Sequence, residues 1–146
     1  MTLIKRLHSD QAGAAAVEAA LALPILITLI YGIFEMSQLY WANAGMQHAL
    51  GEGARLATLC IPDASASTGC DNPSDTSIVA KEKAKLFGPT GAATCTSAGN
   101  CFQVQTPTTS SGYKTLTITY TRAMNFLFFS GPTITLTRSK QVYVAS

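Results

Sequence analysis

Three sets of side chains in this chain of 146 residues have the type and spacing to do chemistry. Glu18 is the single ionisable carboxylate in the 21 residues from 14 to 34, a setting suited to ion pairing at low dielectric. Cys60, Cys70, Cys95 and Cys101 all follow that run, in segments rich in Ser, Thr, Gly, Asn and Pro. His48, Glu52 and Arg55 recur at helical spacing and carry groups that acid–base catalysis uses.

The last set does not amount to an active site. The other histidine, His8, lies near the N-terminus, no serine sits in a nucleophile-elbow context, and no Gly-rich phosphate loop is present. His48, Glu52 and Arg55 on adjacent turns read as a solvated helix face. An enzyme is therefore not expected, and no cofactor or metal is implied. An even count of cysteines in short loops reads as two disulfides, whereas intervals of nine and five residues lack the paired CxxC of a structural zinc site. Of the three pairings, Cys60 with Cys70 and Cys95 with Cys101 are favoured, because short loops close most readily. A formal charge of +2 with scattered lysines and arginines leaves no footprint for nucleic acid.

The element that must position Glu18 is the apolar run itself. Charged residues are only 12% of the chain and hydrophobic ones 47%. Residues 14–34 supply the roughly 20 helical residues that a bilayer core of about 30 Å requires. Lys5 and Arg6 precede the run and no Lys or Arg follows before Arg55, which puts the N-terminus on the cytoplasmic side. Tyr31, Tyr40 and Trp41 fall where an interfacial aromatic belt belongs, with Glu35 as the first outer charge. A secretory signal cut near Ala42-Asn43-Ala44 is the competing reading, but the apolar run is long for one and contains Glu18 and Pro24.

Helical periodicity continues beyond the membrane. Leu39, Ala42, Met46, Ala49, Leu50, Gly53 and Ala57 recur at intervals of three or four, so one helix is expected from 14 to 57, about 66 Å long. Its small-residue seam suits either other helices or the strands of the chain's own outer domain. Pro24 should bend or loosen the helix near Ala20.

A charge at mid-membrane costs roughly 2.5–3.5 kcal/mol and less near the edge. Glu18 either reaches the headgroups from its position near the helix start, aided by the helix dipole, or meets a cationic partner. Glu35 lies 17 residues on, which at 100° per residue leaves the two about 100° apart around an ideal helix. Glu35 is expected to be solvated at the interface.

Past Leu59 the texture turns to loop over 62–69. Residues 76–87 read as a short helix, capped by Asp75 or Thr76 and stopped by Gly88-Pro89, with Lys81, Lys83 and Lys85 on its solvated side. Strands are expected at 102–106, at 114–122, where Leu116, Ile118 and Tyr120 alternate with threonines, and at 133–144. In the last, Arg138 and Lys140 share parity with the apolar positions, which calls for a bulge or a strand that overruns the core. The apolar run 123–129 either folds back into the core or forms a patch against membrane or partner subunits. The fold class is α+β: a long N-terminal transmembrane helix continuing into a small extracytoplasmic domain with a short helix and an antiparallel sheet of three or four strands.

Lys5 and Arg6, then Gly13-Ala14-Ala15-Ala16-Val17-Glu18 and a long apolar run, resemble a type IV prepilin signal. With Leu23-Pro24, Gly32, Glu35 and Glu52-Gly53-Ala54-Arg55, residues 11–59 resemble the TadE-like minor pseudopilins of tight-adherence (Tad/Flp) pilus systems. Ala19 stands where processed members commonly carry Phe or Tyr. The resemblance implies cleavage by a prepilin peptidase between Gly13 and Ala14, and pairing of Glu18 with a neighbouring subunit's new N-terminus during assembly. It also implies a leader at 1–13, a transmembrane helix at 14–35 and a periplasmic pilin-like domain at 36–146, anchored in the bacterial inner membrane. Other pilins or pseudopilins and the assembly machinery would be the partners. The alternative is an uncleaved, single-pass structural or binding protein of the envelope.

Overall fold

The computed structural model describes residues 11–59, 61–62, 70–71, 73–89, 94–95, 100–110, 112–126 and 129–144. Helix α1 (Gln11–Ala57) is 47 residues long, about 70 Å at 1.5 Å per residue, and carries Pro24 in its interior without a break. Its lower half touches little of the chain. Ten large apolar side chains between Val17 and Phe34 stand exposed, among them Leu21, Ile25, Leu29 and Ile33, and they point to all sides of the axis. Removing each from water is worth about 1.5–3 kcal/mol. Ten together rival the ~5–15 kcal/mol net stability of a whole domain, so this surface calls for an apolar cover that the described residues do not supply. The run is long and apolar enough to cross a membrane, and none of its most apolar window is buried by the rest of the chain.

The upper half of α1 is different because the outer domain covers it. Glu35, Leu39, Ala42, Met46, Ala49, Leu50, Ala54 and Ala57 are buried at intervals of three and four, the stripe that the periodicity predicts. The chain's own elements fill the small-residue seam. At Gly45 the backbone of Phe87 comes so close that a methyl group there would run into its carbonyl.

Helix α2 (Asp75–Lys85) packs on this stripe. Its cap is Ser74 rather than Asp75 or Thr76: the Ser74 backbone is extended and its Oγ accepts from the Ser77 N–H at 3.3 Å. The helix ends at Lys85, short of the expected Phe87, because Leu86 turns extended and buries its side chain in the core. Gly88 then threads between Ala42 and the Phe102 ring, a gap that no side chain would fit. Lys83 and Lys85 are solvated as expected.

Two short strands, β1 (Ile61–Pro62) and β2 (Cys70–Asp71), pair antiparallel where the sequence suggested only loop. The main sheet is antiparallel and has four strands: β3 (Cys101–Val104), β4 (Thr108–Ser110), β5 (Tyr113–Asn125) and β6 (Ser130–Tyr143). The central β5 pairs with β3 and β4 along one edge and with β6 along the other. Its alternation is as expected, with Leu116, Ile118 and Tyr120 fully buried against the helices and the threonines outward. Gly112, at φ +83°, makes the tight turn from β4 into β5. Strand β6 keeps regular pairing from Thr133 to Tyr143, and the one irregularity lies beside Met124 on β5. No bulge therefore rescues Arg138: it stays on the helix side and donates to Asn43 Oδ1 at 2.7 Å.

Of the run 123–129, residues 127 and 128 lie outside the described residues, and the others divide between the two expectations. Ala123, Met124 and Asn125 continue β5, with Met124 in the core, while Phe126 is half-buried and Phe129 exposed at the hairpin tip.

Candidate functional site

The chemistry-bearing positions fall on α1 and on the strand that descends beside it. As α1 climbs, β5 runs down: Arg122 meets Glu35, and further along the strand Phe126 lies against Gly32. The Arg122 guanidinium makes a two-pronged contact, Nε to Glu35 Oε2 at 3.0 Å and Nη2 to Oε1 at 3.3 Å. Only 5% of the Glu35 side chain and 16% of Arg122 remain exposed. The expectation of a solvated Glu35 is thus corrected, since the sheet folds over it and supplies its counter-charge. Burial pushes the Arg122 pKa down, but the hydrogen bond and charge of Glu35, with a contribution from Tyr120, outweigh it and hold the guanidinium above its ordinary value. The Tyr120 hydroxyl is itself buried and makes no hydrogen bond of good geometry.

Glu18 is exposed on the lower helix among apolar neighbours, and no side chain of the described residues pairs with it. Gly13 and Ala14 are exposed as well, with nothing within 4 Å of the Gly13 Cα face. Tyr31 is half-buried about one turn below Glu35, and Tyr40 and Trp41 are exposed about one and a half turns above it.

The outer domain holds the remaining positions. Cys95 and Cys101 are joined in a disulfide beside β3, as expected from their spacing. Cys60 lies outside the described residues and Cys70 is described only as part of β2, so their pairing is not part of this picture. His48 does not form a catalytic set. A backbone carbonyl only accepts, so His48 Nδ1–H donates to the Lys85 carbonyl at 3.1 Å and fastens α1 to the end of α2. Arg55 and Glu52 form an exposed pair at 3.3 Å. Among the described residues no cluster of His, Cys, Asp and Glu is arranged to hold a metal ion.

Sequence reasoning missed two charged groups that matter. One is Arg122, discussed above. The other is Glu82, which reads from sequence as an interruption of a lysine face. It is fully buried between α2 and α1, where its carboxylate stands against Gly53 and neither oxygen has a hydrogen-bond partner. Burial raises its pKa from 4.5 to about 7.

The stretch that carries the long helix, Glu18 and Glu35 matches a known family model: residues 13–55 match the model for TadE-like protein. This stretch is TadE-like. The match begins at Gly13, ends at Arg55, and so covers α1 nearly whole and none of the sheet. No curated protein and no solved structure matches the chain.

Proposed function

We propose that the protein is a minor pseudopilin of a Tad/Flp-type adhesive pilus, acting through helix–helix association after its leader is removed. The observation that carries this reading is a family match that starts at Gly13 and takes in an exposed carboxylate five positions on. In this reading residues 1–13 are a cytoplasmic leader, 14–35 span the inner membrane and 36–146 form the periplasmic domain. Prepilin peptidase cuts between Gly13 and Ala14, and the Ala14 amine of one subunit meets Glu18 of its neighbour. Four helical residues span about 6 Å, so subunits staggered by a single turn bring amine and carboxylate together. The pairing would offset the cost of a carboxylate in lipid, and it would fix the stagger at which subunits add. A filament or its base could then be primed by the apolar helix alone, with the outer domain left free for contacts.

The test is Glu18→Ala. Membrane insertion should be retained, since the apolar run is unchanged, while pili fall well below wild-type number in a strain complemented with the variant. Normal piliation would remove Glu18 from assembly. The second reading, an uncleaved anchored envelope protein, draws on Ala19 in place of the expected aromatic.

A further inference from the structure

We infer that the tip of the β5–β6 hairpin is a lipid-seating element, with Phe126 and Phe129 entering the interfacial layer of the leaflet on the outer-domain side. The inference rests on the reading of 14–35 as a membrane span.

Depth is the first argument. The Phe126 ring stands 3.7 Å from where a Gly32 side chain would begin, so the tip lies beside α1 at the level of Gly32. Gly32 precedes Glu35 by three residues, about 4.5 Å along the axis, and belongs to the apolar run. At that level the rest of the helix circumference carries Leu29, Ile30, Ile33 and Phe34, each 55–62% exposed. Apolar residues all round a helix, rather than along one stripe, indicate a lipid surround and not a single partner helix. A group that touches Gly32 from the side shares that surround. Apart from the half-buried Tyr31, the polar side chain of α1 nearest this level lies above it, in the Glu35–Arg122 pair, with Ser37 beyond.

The second argument is that the tip is built to leave water. Phe126 and Phe129 exchange both backbone hydrogen bonds, at 2.9 and 3.3 Å, so these N–H and C=O groups need no solvent. Their rings stack at 4.7 Å, and Phe129 keeps 56% of its surface exposed. Between tip and helix runs an open groove of about 680 Å³, walled by Leu29, Gly32, Ile33, Met36, Phe126 and Pro132. Acyl chains fit such a groove, whose wall is apolar except where Ser37 and Tyr40 border it. The hairpin therefore touches the bilayer at one end, and Glu35 with Arg122 lies just above the hydrocarbon, paired where a lone charge would be costly.

The experiment is tryptophan quenching by brominated phospholipids, using the full chain in phosphatidylcholine–phosphatidylglycerol vesicles. Trp41, the one native tryptophan, is first replaced as Trp41→Phe. Single tryptophans then enter as Phe129→Trp at the tip, Ile30→Trp in the span and Tyr143→Trp at the far end of β6. All three positions are exposed, so the fold should accept them. Phe129→Trp is expected to lose emission to a degree comparable with Ile30→Trp and to show a blue shift, while Tyr143→Trp keeps its emission. If Ile30→Trp is quenched and Phe129→Trp behaves like Tyr143→Trp, the tip does not meet lipid and the proposal falls while the span stands. A Phe129→Trp emission that is blue-shifted yet insensitive to both brominated lipid and acrylamide would mean that a second copy covers the tip, which overturns it equally. Loss of quenching at Ile30→Trp as well would instead refute the span.

Discussion

Glu35 and Arg122 lie 87 positions apart in sequence and hold the sheet to the long helix through two hydrogen bonds between buried charges. Removing one partner of such a pair leaves an uncompensated charge, so Arg122→Ala should destabilise the outer domain by about 3–5 kcal/mol in chemical denaturation of the detergent-solubilised chain. The double variant Glu35→Ala/Arg122→Ala should be markedly less damaged than the two single losses added together, because neither charge is then stranded. Glu82 makes a different prediction, since nothing balances its charge. Between its unfolded pKa of 4.5 and its folded pKa of about 7, the native state holds a proton that the unfolded chain has released. Stability therefore falls as pH rises through that window, by about 3 kcal/mol in all, and levels off above it. Denaturation midpoints at pH 5 and pH 8 should show this fall, and Glu82→Gln should flatten it. Both groups could have been suspected from the sequence on the right signal. Arg122 has the same parity as Leu116, Ile118, Tyr120 and Met124, the buried face of β5, and a cation at an inward position calls for a buried anion. Glu82 sits four residues from Ile78, so it shares the buried face of α2.

At the level of elements, the close approach of α1 to α2 depends on glycine at some positions and not at others. Gly45→Ala should force the Phe87 carbonyl away and loosen the packing of α2, lowering the melting temperature. Gly51→Ala has open space before it and should raise stability by about 0.5–1 kcal/mol through helix propensity alone. The opposite signs, on one helix face apart, separate packing from propensity. The length of α1, its buried stripe and the alternation of β5 were legible because each repeats a period over many residues. What escaped was short or decided at a distance. The three residues of β4 and two each of β1 and β2 are too brief to show a period. The early end of α2 is set by the pull of Leu86 into the core, which no local signal announces. Arg138 looked like a fault in β6 because its partner, Asn43, lies on another element.

For the whole molecule, the division along α1 is what links fold to function. Its lower half is left bare by the chain, with Glu18 exposed on it, while its upper half is sealed against the sheet and α2 by a buried ion pair, a helix-end hydrogen bond and an apolar core. The TadE-like match follows the helix and leaves the sheet unmatched. The account turns on whether the helix begins at Ala14 in the mature chain, since only then does Glu18 have a cationic partner in the next subunit. Mass spectrometry of the protein purified from native membranes measures this directly. A mature chain starting at Ala14 is the predicted result, and a chain still carrying residues 1–13 would contradict the pseudopilin mechanism.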